Sequence, residues 1–173
     1  MSKTIIVPLN AKGIKKAKRE LEKYKKEIIT NSKTLVQKLT DYGAEIARIK
    51  IVNMKAVDTG DLLSGVSGYY SPLLNAGFVK VASDHVAFVE FGTGIVGQAS
   101  PHTNGEYLSK ASWQYASGSK IFTTKNGKVG WIYPTDDGEF RFTEGMQSRP
   151  FMYETALQLE KEYARIAKEV FGK

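Results

Sequence analysis

Apolar residues recur every three or four positions over residues 11–29, where Ile14, Ala17, Leu21, Tyr24 and Ile28 form one stripe. The spacing predicts an amphipathic helix. Thr30-Asn31-Ser32 interrupts the stripe, and Asn31 and Ser32 are residue types that cap a new helix. The pattern resumes to about Lys55, with Leu35, Leu39, Tyr42, Ile46 and Ile49 inward. Two helices or one long helix both fit, because no Pro or Gly stands at the interruption. Gly43 costs only about 1 kcal/mol relative to Ala, too little to break a packed helix.

After Ser64 the period shortens. Residues 65–74, 77–82 and 86–91 read as strands, separated by Pro72, Asn75 and Ser83-Asp84. Residues 94–120 are polar and weakly periodic, which predicts a long loop that is functional or disordered. Residues 121–124 and 129–133 flank Asn126-Gly127, a strong hairpin signal. Asp136-Asp137-Gly138 then turns the chain into residues 139–143. Pro150 suits the first turn of a final helix reaching Phe171, with Met152, Ala156, Leu159, Tyr163, Ile166 and Val170 as its stripe. The expected class is α+β. A helical segment (11–55) and a C-terminal helix (150–171) pack on a mainly antiparallel sheet (64–143), forming one domain over 1–173.

Charge changes this picture at one end only. Residues 1–55 hold 14 Lys/Arg against 5 Asp/Glu, and residues 56–173 hold 11 against 13. Lys12, Lys16, Arg19, Lys23 and Lys26 lie opposite the apolar stripe of the first helix, at about 100° per residue. Three readings stay open for them. They are the solvated back of a core-packed helix, a face toward phosphate or an acidic partner, or a membrane-surface stripe.

The chain of 173 residues is long enough to bury a core without staples, and it has no Cys. A disulfide framework, thiolate metal site and cysteine nucleophile are thereby excluded. No run approaches the roughly 18–20 apolar residues of a membrane span, and the first residues lack a signal-peptide core, so a soluble protein is expected.

Candidate chemistry is sparse. Gly92-Thr93-Gly94-Ile95-Val96-Gly97 matches G-x-G-x-x-G, but Gln98-Ala99-Ser100-Pro101 is a poor helix start and no acid follows about 20 residues on. Asp58-Thr59-Gly60 matches the aspartic-protease tripeptide, yet it follows a helical segment instead of a strand, and a local turn role is expected. His85 and His102 lack ligand spacing and read as two surface imidazoles. Asp136, Asp137 and Glu139 lack the order of a calcium loop and read as a turn. No catalytic residue, metal ligand or cofactor site is expected.

Three motifs remain, in fixed order: Lys55-Ala56-Val57-Asp58-Thr59-Gly60-Asp61-Leu62, then Val86-Ala87-Phe88-Val89-Glu90-Phe91-Gly92-Thr93-Gly94, then Ser148-Arg149-Pro150-Phe151-Met152-Tyr153-Glu154-Thr155-Ala156. Together they resemble the head–tail joining, or tail-completion, proteins of long-tailed bacteriophages, the neck or minor tail protein Z-like family. Ala56 stands where that family commonly has proline, Val86 where it has tyrosine and Arg149 where it has glutamine. Residues 94–120 are not covered by the motifs.

The resemblance implies a non-enzymatic virion part, assembled in the host cytoplasm. It would form a homo-oligomeric ring of about six copies between the head connector and the tail tube or its terminator. It marks Asp58, Thr59, Gly60, Leu62, Glu90, Phe91, Gly92, Thr93, Arg149, Pro150 and Phe151 as structural or interface residues. Lys12, Lys16, Arg19, Lys23 and Lys26 would then meet an acidic neighbour, solvent, or genomic DNA passing through the lumen. The alternative from another class is a basic nucleic-acid-binding protein acting through the first helix.

Overall fold

The computed structural model describes residue 4 and residues 6–57, 60–115, 121–135 and 137–172. The fold is α+β, with a long N-terminal helix, a C-terminal helix and antiparallel sheets. Helix α1 runs unbroken over Ala11–Asn53, 43 residues. At 1.5 Å per residue it is about 65 Å long. The Asn10 side chain caps it by accepting the Gly13 N–H at 2.8 Å. Of the two options at residues 30–32, the single helix forms. Nothing there removes a backbone donor, and the Thr34 hydroxyl bonds back to the Thr30 carbonyl at 3.0 Å.

The last helix, α6 (Phe151–Phe171), lies antiparallel along the second half of α1. Lys50 Nζ meets Glu154 at 3.3 Å near one end of the seam, and Lys38 meets Glu169 at 3.7 Å near the other. Leu35 closes that far end against Ile166 and Val170. The polar pairs are half-exposed and add little; burial of the apolar faces holds the seam.

Two small antiparallel sheets replace the single sheet expected. In the first, β1 (Val66–Ser71) pairs with β2 (Ala76–Val81), from Val66 opposite Val81 to Ser71 opposite Ala76. It packs on α1, where the Thr40 side chain fills the space a Cβ on Gly77 would need. The second has the order β3 (Phe122–Thr123), β4 (Val129–Pro134), β5 (Phe140–Thr143).

The run 86–91, expected as a strand, is a helix, α3 (Val86–Phe91). A continuous apolar run has no period that separates strand from helix, so its environment decided. The 94–120 stretch, expected as a loop, carries two short helices, α4 (Gly94–Ala99) and α5 (Gly105–Lys110). The Asn104 side chain caps α5 through the Tyr107 N–H at 2.9 Å. The remaining elements are α2 (Asp61–Ser64) and β6 (Gly145–Met146).

The main core gathers Ala44, Ala47 and Ile51 of α1 with Ala56, Leu62, Val66, Val89 and Phe151. Phe151 and Ile51 are wholly enclosed. Residues 11–30 of α1 project beyond the end of α6. There Ile14 is 61% exposed and Leu21 58%, with Tyr24 and Ile28 also open.

Candidate functional site

The three motifs meet. Ala56 and Leu62 from the first, Val89 from the second and Phe151 from the third share the main core. Above it, Glu90 is buried inside an otherwise apolar helix. A buried carboxylate needs hydrogen bonds, and the start of α6 supplies them. Glu90 Oε2 accepts the Met152 N–H and Oε1 the Tyr153 N–H, both at 2.9 Å. Pro150, at the N-cap position of α6, has no side-chain acceptor for these amides. Glu90 performs that task from a different segment, and its negative charge also suits the positive end of the helix dipole.

The main chain is joined at the same place. The Arg149 N–H donates to the Val89 carbonyl at 2.8 Å, and the Ser148 hydroxyl donates to the Glu90 carbonyl at 2.6 Å. The Met146 N–H donates to the Thr93 hydroxyl at 3.2 Å, and Thr93 and Gly94 bridge to β6. Burial raises the Glu90 carboxyl above the ordinary carboxylate range, and the two amides and His102 pull it partly back.

His102 departs from the expected surface position, since only 3% of it is exposed. Its Nδ1 lies 3.0 Å from the Asn104 amide nitrogen and 3.2 Å from the Asn104 carbonyl oxygen, and its Nε2 lies 3.5 Å from Glu90 Oε1. Phe91, Tyr107 and Tyr153 surround the imidazole, with ring centroids 5.2–5.5 Å from it. The Asn104 amide donates to the Tyr153 hydroxyl at 3.2 Å, and Trp113 Nε1 donates to the Gly92 carbonyl at 2.9 Å. His102 therefore ties the 94–115 segment onto the Glu90–α6 junction. His85 is exposed, against Phe88.

The glycines of the middle motif are required sterically. Gly92 has φ +79°, and a Cβ there would lie 2.7 Å from Ser148 N and 2.9 Å from Met146 O. Gly94 has φ +63° and is wedged against the Glu144 carbonyl and Trp131. A helix does begin within the G-x-G-x-x-G run, contrary to expectation, but it follows helix α3 instead of a strand. The Gly94 N–H donates to the Tyr115 carbonyl at 2.7 Å and the Val96 N–H to the Glu144 carbonyl at 3.3 Å. Amides that would face a phosphate thus serve the fold.

Among the other expected site residues, Asp58, Thr59 and Asp136 lie outside the described residues. Gly60 has φ +93° with nothing near its Cα face, and Leu62 is in the core. Pro150 and Phe91 are buried, Arg149 half-buried. Asp137 accepts from the Thr135 hydroxyl and, at 3.2 Å, from the Glu139 N–H, holding the turn before β5. Lys12, Lys16, Arg19, Lys23 and Lys26 are all exposed on the projecting part of α1, far from this junction in the sequence.

An open depression beside α5, lined by Gly105, Leu108, Ser109, Ser112, Trp113 and Gln114, offers no titratable side chain. Among the described residues, no group of three or more His, Asp or Glu is placed to hold a metal ion, and no helix is long and apolar enough to cross a membrane. Comparisons with protein-family models, with curated proteins and with solved structures found no significant match.

Proposed function

We propose that the chain is a structural virion protein of a long-tailed bacteriophage. It forms a ring at the neck that completes the tail, joins it to the head connector, or both. The observation that carries this reading is the convergence of the three motifs through Glu90, Phe151 and Leu62. Motifs that meet in one packed junction form a single architectural unit, which supports reading them together. The projecting half of α1 adds independent support, because an exposed apolar stripe of that length belongs against a neighbour. The partners of this reading are further copies of the chain, a head-completion or connector protein, and the tail tube or its terminator.

A stop codon in the gene, with the lysate of a non-suppressing host viewed by electron microscopy, tests it. DNA-filled heads beside separate, unjoined tails are expected. Normal infectious particles would remove the reading.

A second reading rests on the five exposed cations along α1. It makes the chain a nucleic-acid-binding protein acting through that helix. A salt-dependent gel shift persisting at physiological ionic strength, together with intact particles from the stop mutant, would favour it.

A further inference from the structure

The projecting part of α1 carries a seven-residue repeat. Ile14, Leu21 and Ile28 stand seven apart, and Ala17 and Tyr24 fall three residues after the first two. These are the a and d positions of a coiled coil, and the same row continues into Leu35, where α6 covers it. The stripe is thus an extension of an existing helix–helix seam that has lost its partner helix.

The flanks identify the partner. On one side of the stripe stand Lys18 and Lys25, at the e positions; on the other stand Glu20 and Glu27, at the g positions. Two such helices placed in parallel set the acidic flank of one along the basic flank of the other, with Glu20 opposite Lys25 of the second copy. An antiparallel pair sets like charges together. Most of the segment's other cations, including Lys16, Arg19 and Lys23, lie on the outer face and leave the contact free of their charge.

We infer that α1 pairs with α1 of a second copy of this chain, in parallel, through Ile14, Leu21 and Ile28. The same complementarity works between two copies and around a ring, because each acidic flank meets the next copy's basic flank. Three heptads form only a marginal isolated coil, so the contact is weak and adjustable until other interfaces align it. This inference stands apart from the neck reading.

Sedimentation equilibrium of the full chain tests it. Self-association above the 19.2 kDa monomer is expected. Ile28→Glu should leave only monomer while thermal unfolding of the body is unchanged, since Ile28 is exposed. Lys25→Glu and Glu20→Lys should each weaken association about tenfold, and the double reversal should restore it. The chain has no Cys, so Ala17→Cys gives a single thiol. Under air oxidation two copies should link through it in the parallel register, whereas an antiparallel pair separates these positions. A monomer at every concentration, association indifferent to Ile28→Glu, no rescue by the double reversal, or no cross-link would each overturn the pairing. The stop-mutant micrographs decide the neck reading separately, so either idea can fail alone.

Discussion

Glu90 and Met152 are joined by a hydrogen bond of 2.9 Å from the Met152 N–H to the Glu90 carboxylate. The bond links the end of α3 to the start of α6 across 62 positions of sequence. With its twin to Tyr153, it makes one buried acid the cap of the longest element other than α1. A helix start that depends on a distant side chain is formed only when the whole junction is assembled.

Removing that acid should therefore cost more than an ordinary cap. Glu90→Ala leaves two buried N–H groups without acceptors, and a loss of about 2–4 kcal/mol is expected. Urea unfolding followed by circular dichroism measures it. A loss within ordinary surface values would show that water replaces the carboxylate easily.

Stability should also depend on pH through the same group. Burial places the folded-state pKa of Glu90 above its unfolded value. Between the two values the folded protein holds a proton that the unfolded chain releases, so stability falls as pH rises through that window. Glu90→Gln has no such titration. The stability of the wild type relative to Glu90→Gln should decline as pH rises from the ordinary glutamate range, and parallel curves would refute the assignment.

Two glycine substitutions separate propensity from packing. Gly43→Ala improves helix propensity by about 1 kcal/mol, yet its methyl would sit 2.9 Å from Leu159 Cδ1 and 2.9 Å from Val79 Cγ2. Overpacking of that kind costs about 1–3 kcal/mol, so net destabilisation is expected. Gly92→Ala should be worse, because the position also has φ +79° and faces main-chain atoms that cannot yield. Thermal unfolding of both variants ranks them, and a more stable Gly43→Ala would mean that Leu159 repacks freely.

Local stability should change abruptly along α1. Residues 40–51 pack on α6 and on β1, whereas residues 21–30 are exposed throughout. In the isolated protein at low concentration, amide hydrogen exchange should be fast before about residue 31 and slow from about Leu35 onward. Uniform protection would show that the projecting segment is covered.

Much of the helical frame was legible from spacing. The apolar spacing marked α1, although Ile49, expected inward, is half exposed, and the hairpin around Asn126-Gly127 formed where its turn residues placed it. The run from Val86 to Phe91 was not legible, because six residues with no polar alternation carry no period; Gly92 and the start of α6 fixed its shape. His102 was misplaced for a related reason. Its burial comes from Phe91, Tyr107 and Tyr153, which are separated from one another in sequence. One signal was available: Glu90 inside an apolar run demanded a buried partner, although nothing in the sequence said that amides of α6 would be that partner.

The unbroken course of α1 makes the molecule a lever. Ile14 lies 37 residues from Ile51, about 55 Å along one stiff rod. A tilt of about 10° of α1 and α6 together, where Ile51 meets Phe151, sweeps the tip through roughly 10 Å. A neighbour gripping the tip therefore reports, and in turn constrains, small adjustments at the Glu90 junction. Whatever binds one end of this chain has mechanical purchase on the other.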